Sequence, residues 1–153
     1  MMILVSSCLI GCNCRYDNNN TLVPELKHAY EQGFLFPVCP ELMAGMGVPR
    51  TQISICGSSG YDVLSGSAQV ISHSNDIVTE ALVRAAHYCV KLSDMFSIRH
   101  AILKSKSPSC GVFSTTTYDG VTGQPGVVAA ALIRHGVQIF DEHSDFHKVL
   151  NDR

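Results

Sequence analysis

Short apolar segments that alternate with helix-forming segments constrain the fold of this 153-residue chain more than any other feature. Continuous apolar runs of this length are typical of strands buried in a parallel sheet. The predicted strands are Met2–Ser7, Phe34–Val38, His100–Lys104 and Val137–Phe140. The predicted helices are Pro24–Gln32, Asp76–Phe96 and Pro125–His135. The alternation predicts an α/β fold with a mostly parallel sheet between two helical layers, formed by residues 1–153 as a single domain.

Other stretches give less regular patterns. Alternation around Ala68–Ile71 indicates a hairpin or an edge strand, and a glycine-rich loop is predicted after Cys110. Asn75 or Asp76 is expected to cap the long helix. One short helix is expected after Ser144.

Composition excludes several classes of protein. The formal charge of -2 provides no basic surface for a large nucleic acid. Neither a G-x-G-x-x-G motif nor a P-loop is present, so the fold is Rossmann-like without a dinucleotide fingerprint. No segment has the length of a membrane span, and the apolar start is too short for a signal peptide. We therefore expect a cytoplasmic protein with no membrane partner.

Three cysteines lie just past predicted strands. Cys8 follows the first strand, Cys39 follows the second, and Cys110 follows the third after a short loop. The carboxyl ends of parallel strands share one edge of a sheet, and ligands bind outside that edge. Three thiolates without a fourth partner suit a metal or cluster site that has one open position.

The remaining cysteines have different interpretations. Cys89 belongs to the apolar stripe of the long helix and is predicted to lie in the core, and Cys56 is also interpreted as structural. Cys12 and Cys14 form a local C-x3-C-x-C array with Cys8. That array is either a weak zinc or cluster motif or a set of loop cysteines.

Polar residues close to the three cysteines are candidates for chemistry. Glu41 is either a general base on water or a solvated residue in the first turn of a helix. Ser107 and Ser109 either hold water and substrate or form a turn. Lys104 either binds an anion or is solvated, and Asp17 lies in a loop where substrate contacts collect in such folds.

Six segments together resemble the thiouracil desulfidase (TudS) family, which was long catalogued as a domain of unknown function. The similarity covers about residues 2–143. The segments are Ile-Leu-Val-Ser-Ser-Cys-Leu-Ile-Gly (3–11), Arg-Tyr-Asp (15–17), Pro-Val-Cys-Pro-Glu (37–41), Val-Pro-Arg (48–50), Lys-x-x-Ser-Pro-Ser-Cys-Gly (104–111) and Gly-Val-Val-Ala-Ala (126–130).

This resemblance implies a [4Fe–4S] cluster bound by Cys8, Cys39 and Cys110. It implies non-redox removal of sulfur from a thiolated pyrimidine base, nucleoside or nucleotide, with Glu41 and Ser107 as catalytic residues. Lys104, Ser109 and Asp17 are the expected substrate contacts.

Two cysteines, Cys12 and Cys14, depart from the usual pattern of the family. Either one of them is a fourth thiolate that closes the open iron, or both are neutral loop residues. The competing hypotheses are a non-catalytic metal-binding or redox-sensing module built on Cys8, Cys12 and Cys14, and a small-molecule-binding α/β domain with buried thiols.

Overall fold

A computed structural model describes residues 1–152, and its secondary structure follows the predicted alternation. The strands are β1 (Ile3–Ser6), β2 (Leu35–Val38), β3 (Ile53–Cys56), β4 (Gln69–Ser72), β5 (His100–Leu103), β6 (Thr115–Thr117), β7 (Gly120–Thr122) and β8 (Gln138–Asp141). The α-helices are α1 (Pro24–Glu31), α2 (Pro40–Met43), α3 (Gly60–Ser65), α4 (Thr79–Met95), α5 (Val127–Arg134) and α6 (His147–Asn151), and a 3₁₀ helix spans Ser7–Ile10.

The main sheet contains the four predicted strands. Its order is β2-β1-β5-β8, and every pair in it is parallel. Side chains alternate between its two faces, as the pleat of a strand requires. Leu4 and Leu103 pack on one side with α4 and α5, whereas Val5 and Ile102 pack on the other with α1 and α6. The predicted α/β architecture with helices on both faces is therefore confirmed.

A second sheet was only partly predicted. Its order is β4-β3-β6-β7, with β3 and β6 parallel and the other two pairs antiparallel. β4 coincides with the expected edge strand, but β6 and β7 lie in the stretch predicted as a glycine-rich loop. They form a hairpin closed by Tyr118 and Asp119. The sequence did contain a signal for this hairpin, because threonine favours strands and a two-residue turn can join two of them. The glycines of this stretch led instead to the prediction of a loop.

The long helix begins later than predicted. α4 starts at Thr79, and neither Asn75 nor Asp76 caps it, because the N-cap position is Val78. Asp76 instead accepts a hydrogen bond from the Ser72 hydroxyl. The predicted core position of Cys89 is confirmed, since its side chain is fully buried.

Three neighbouring strands end at the same edge of the main sheet. β1 lies between β2 and β5, with Ser6 opposite Val38 and Val5 opposite Ile102. The chain that leaves these three strands therefore converges on one place. No helix within residues 1–152 is long and apolar enough to cross a membrane.

Candidate active site

A cavity of about 310 Å³ opens where β1, β2 and β5 end. Its walls contain seven of the eight residues that the sequence singled out for a site. These are Cys8, Cys39, Glu41, Lys104, Ser107, Ser109 and Cys110. Cys14 is a further wall residue, whereas Cys12 is exposed and does not line the cavity.

Short turns after the strands place the first two thiols. Cys8 lies in the 3₁₀ helix that continues directly from β1, and Gly11 ends that helix with a φ of 98°. Glycine adopts this left-handed conformation without steric cost. Cys39 is the N-cap of α2, and Pro40 occupies the first position of that helix. The backbone N–H that proline lacks would have no partner within the helix at this position. The chain therefore turns sharply at both strand ends and leaves both thiols at the cavity.

The loop that carries Cys110 is shaped by close backbone packing. A Cβ atom at Gly111 would lie 2.0 Å from the Ser114 carbonyl oxygen and 2.6 Å from that of Ser107. The Ser107 hydroxyl accepts hydrogen bonds from the amides of Ser109 and Cys110, at 3.2 and 3.1 Å. Only glycine fits after Cys110, and Ser107 fixes the turn that precedes it.

Cys14 lies in the cavity wall with two of the predicted ligands, Cys8 and Cys39. Its side chain belongs to the same packed cluster as those of Cys8 and Cys39. Its carbonyl oxygen accepts from the Cys39 thiol at 3.7 Å and from Arg50 Nη2 at 2.8 Å. The chain thus brings four thiols to this cavity.

These contacts give the four thiols different acidities. The hydrogen bond from Cys14 is the main cause that lowers the pKa of Cys8, and it lowers the pKa of Cys39 to about 6. The bonds to Cys39 and Cys8 raise the pKa of Cys14 itself. Burial raises the pKa of Cys110 well above its usual value. Cys8 and Cys39 are therefore the readier thiolates.

The thiols do not form a site for a single ion. No group of three or more His, Cys, Asp or Glu residues in the part of the chain that the structure describes is arranged to hold one metal ion. A zinc site draws its ligands to about 2.3 Å from one centre. Because Cys12 is exposed, the local array of Cys8, Cys12 and Cys14 is not assembled, which counts against a metal-binding or sensing module built on it.

Glu41 is held at both carboxylate oxygens. Arg50 Nε donates to Oε1 at 3.1 Å, and the Ser109 hydroxyl donates to Oε2 at 3.0 Å. The Ser107 and Ser109 hydroxyls lie 2.9 Å apart. A carboxylate and two hydroxyls therefore form a continuous hydrogen-bonded chain along the wall beside the thiols.

Lys104 is paired with a residue that the sequence did not single out. Its ammonium group contacts the carboxylate of Glu142, which also accepts from the Ser105 amide at 2.8 Å. Burial raises the pKa of Glu142, but the bonds from Lys104 and Ser105 outweigh burial and leave that pKa below its usual value. Glu142 thus keeps its charge and fixes Lys104 at the cavity wall.

Asp17 is the one expected site residue that does not line the cavity. Its carboxylate accepts from the Asn19 amide at 3.2 Å and lies 3.8 Å from Arg15 Nε. Arg15 itself lines the cavity. The structure therefore places Asp17 behind Arg15, at one remove from the cavity.

Arg50 and Glu142 are the charged residues that reasoning from sequence missed. Arg50 belonged to the quoted Val-Pro-Arg segment, and its side chain is only 7% exposed. No local sequence pattern predicts that Arg50 is buried beside Glu41, nine residues earlier in the chain. Glu142 follows the last strand of the main sheet, and its position at a strand end was the available signal.

Comparisons with known proteins agree with this geometry. Residues 3–144 match the family model described as 2-thiouracil desulfurase. An uncharacterized Bacillus subtilis (strain 168) protein, YbbK, is 35% identical over 146 residues, which cover 93% of this chain and 96% of that protein. The solved structure of the [4Fe-4S]-dependent thiouracil desulfidase TudS superposes with a TM-score of 0.83 at 30% identity, covering 97% of this chain and 95% of that one.

Proposed function

The chain belongs to the 2-thiouracil desulfurase family, and from this premise we propose that it removes sulfur from thiolated pyrimidines with the help of a [4Fe–4S] cluster. The proposed cluster ligands are Cys8, Cys39 and Cys110. The single observation that carries the proposal is that three thiols from distant segments share one cavity with a held carboxylate and a pair of serine hydroxyls. The alternative function, a non-catalytic metal-binding or redox-sensing module, gives no role to the carboxylate of Glu41.

The donor set fits the proposed group. Cysteine thiolates are the usual ligands of iron–sulfur clusters, and three of them leave one iron without a protein ligand. The three thiols are buried or half-buried at the edge of the sheet, where solvent access is restricted.

When bound, the cluster would supply a Lewis-acidic iron with affinity for a soft thiocarbonyl sulfur. The overall reaction is hydrolytic: water replaces sulfur on the ring carbon, and hydrosulfide and the oxo-pyrimidine are released without a change of oxidation state. The protein must therefore orient a water molecule and remove its proton.

Glu41 is the proposed general base. Its Oε1 is occupied by Arg50, so Oε2 is the atom that takes the proton from water. Ser109 already donates to Oε2, and Ser107 lies next in the chain, so the two hydroxyls orient the water and pass a proton along the wall. Arg50 keeps the carboxylate from turning away from the cavity.

The cavity would have to hold both the proposed cluster and the substrate, which favours a small thiolated pyrimidine. Its volume of about 310 Å³ lies at the small end of the range of about 300–1,000 Å³ for ligand pockets. We propose that Lys104 and Ser109 contact polar atoms of the substrate, and that Asp17 acts on it through Arg15. Base, nucleoside and nucleotide forms share the thiocarbonyl group on which the proposal depends.

Anaerobic reconstitution with iron and sulfide, followed by incubation with 2-thiouracil, tests the proposal. The wild-type protein should bind iron and sulfide and release hydrosulfide and uracil. Glu41→Gln should keep the cluster absorbance but lower the rate of hydrosulfide release by about 10²–10⁴-fold, the usual contribution of a general base. The matched control is Glu80→Gln, which removes an exposed carboxylate that also pairs with an arginine.

Two results would contradict the proposal. A wild-type protein that binds no iron after reconstitution excludes the cluster. Undiminished hydrosulfide release by Glu41→Gln removes that residue from the mechanism.

A further inference from the structure

Glu142 is a buried carboxylate to which the proposed function assigns no role. It follows β8 directly, just as Lys104 follows β5, the neighbouring strand of the main sheet. Leu103 and Asp141 lie opposite each other in this pair of strands, so the next residue on each strand emerges at the same edge. Lys104 lines the cavity, whereas Glu142 lies behind it.

The two side chains form an ion pair that solvent screens weakly. Only 16% of the Lys104 side chain and 10% of the Glu142 side chain are exposed. Glu142 Oε1 accepts from the ammonium group and, at 2.8 Å, from the Ser105 hydroxyl, while Oε2 accepts from the Ser105 amide at 2.8 Å. Because both of its oxygens are held, the carboxylate fixes the position of the ammonium group at the cavity wall.

The ammonium group of Lys104 has three N–H donors, and their partners differ. One donates to Glu142, one to the Ser105 hydroxyl at 3.0 Å and one to the Ser105 carbonyl oxygen at 3.3 Å. The last bond is the longest of the three and lies beyond the usual range of about 2.7–3.2 Å. It is therefore the bond that an acceptor inside the cavity would replace.

The charge balance of the pair determines which acceptor suits this donor. Glu142 already compensates the positive charge of Lys104, so the pair attracts a second full anion less strongly than an unpaired lysine would. A neutral carbonyl oxygen needs only one directed donor. A thiolated uracil carries such an oxygen on the same ring as its thiocarbonyl group, and the replacement of sulfur by water leaves that oxygen unchanged.

We propose that Glu142 holds Lys104 so that one N–H of the ammonium group donates to the ring carbonyl oxygen of the substrate, which makes the enzyme select thiopyrimidines that carry an oxo group. The inference rests on the proposed function and narrows its substrate class. Lys104 contacts the substrate, whereas Glu142 acts through Lys104 and is a positioning residue.

A comparison of 2-thiouracil with 2-thiopyrimidine, which lacks the ring oxygen, tests the inference on anaerobically reconstituted protein. The measurements are kcat/KM for hydrosulfide release and the inhibition constant of 2-thiopyrimidine against 2-thiouracil, which needs no turnover of the analogue. The wild type should prefer 2-thiouracil. Lys104→Met should lose about 10–10²-fold in kcat/KM for 2-thiouracil, the loss expected for a hydrogen bond from a charged donor, and should bind 2-thiopyrimidine as the wild type does.

Variants of Glu142 separate positioning from a general loss of structure. Glu142→Gln should weaken the preference for 2-thiouracil, mainly through a higher KM, with unchanged iron content. Lys104→Met combined with Glu142→Gln leaves no unpaired charge buried, and it should have the preference of Lys104→Met alone. Lys148→Met is the matched control, because Lys148 pairs with Asp145 at 3.1 Å on the exposed surface, and it should keep the wild-type preference.

Three results would be decisive against these assignments. A wild type without preference for 2-thiouracil, or equal losses with both compounds in Lys104→Met and in the double variant, would overturn the inference and leave the proposed function intact. The wild-type preference in Glu142→Gln would overturn the role of Glu142. A wild type that releases no hydrosulfide from 2-thiouracil would instead overturn the proposed function, and the inference with it.

Discussion

Arg50→Ala should destabilise the cluster-free protein more than any exposed charge substitution. Arg50 joins three segments at the cavity: it donates to Glu41 at 3.1 Å, to the Cys14 carbonyl oxygen at 2.8 Å and to the Gly47 carbonyl oxygen at 2.9 Å. Removing it takes a charged donor away from the Glu41 carboxylate and from the Cys14 carbonyl oxygen, both in a poorly solvated place. The variant therefore tests whether this buried arginine organises the site.

The size of the effect follows from burial. The side chains of Arg50 and Glu41 are only 7% and 15% exposed, so solvent screens the pair weakly. Removing one partner of a buried ion pair costs about 3–5 kcal/mol. Hydrogen bonds to charged groups contribute about 1.5–3 kcal/mol each, but they overlap with the ion-pair term and are not added to it. A loss of about 3–5 kcal/mol is a large part of the 5–15 kcal/mol by which domains are typically stable.

Urea denaturation of the cluster-free protein under reducing conditions measures this loss. Because the chain has no Trp, circular dichroism is the suitable signal. Arg84→Ala is the matched control, since Arg84 forms an ion pair with Glu80 at 2.9 Å but the two side chains are 63% and 89% exposed. Exposed helical pairs of this kind contribute about 0.3–0.5 kcal/mol.

A loss below about 1 kcal/mol for Arg50→Ala, comparable with that of Arg84→Ala, would refute the reasoning. A double-mutant cycle with Glu41→Gln provides a finer criterion. Contacting residues couple by about 0.5–3 kcal/mol, so Arg50→Ala should cost less when Glu41 is already neutral. An identical cost in both backgrounds would show that the ion pair is not the source of the effect.

Two further predictions concern the loop and the acid stability. Gly111→Ala should displace the Cys110 turn, because the new Cβ would lie 2.0 Å from the Ser114 carbonyl oxygen. The amount of iron bound after reconstitution should therefore fall well below that of the wild type. Full iron loading of the variant would contradict this prediction. The lowered pKa of Glu142 stabilises the fold above its ordinary pKa of 4.5, and this contribution is lost as the pH falls through the lower, folded-state pKa. Glu142→Gln should therefore reduce the loss of stability between neutral and acidic pH in urea titrations, and an unchanged pH dependence would show that the contact with Lys104 stabilises little.

The main sheet was predictable because its strands are local signals. Residues 3–5 and 101–103 are apolar throughout, and only a strand covered on both faces buries every residue of such a run. The second sheet was less predictable, since Thr115–Thr117 and Gly120–Thr122 are short and polar, and their pairing partners lie elsewhere in the chain. The start of α4 was also misplaced, because Asp76 found a partner in Ser72 instead of capping the helix.

By itself, the sequence determined that Cys8, Cys39 and Cys110 follow strands of one parallel sheet, because strand order and direction place their carboxyl ends at a common edge. The family resemblance, with the same residues, indicated the chemistry. Only the tertiary structure showed that Cys14 lines the cavity whereas Cys12 is exposed. It also placed Asp17 behind Arg15 and brought Arg50 to Glu41. Exposure and hydrogen-bond partners depend on how separate segments pack in space, and neither spacing nor residue type along the chain contains that information.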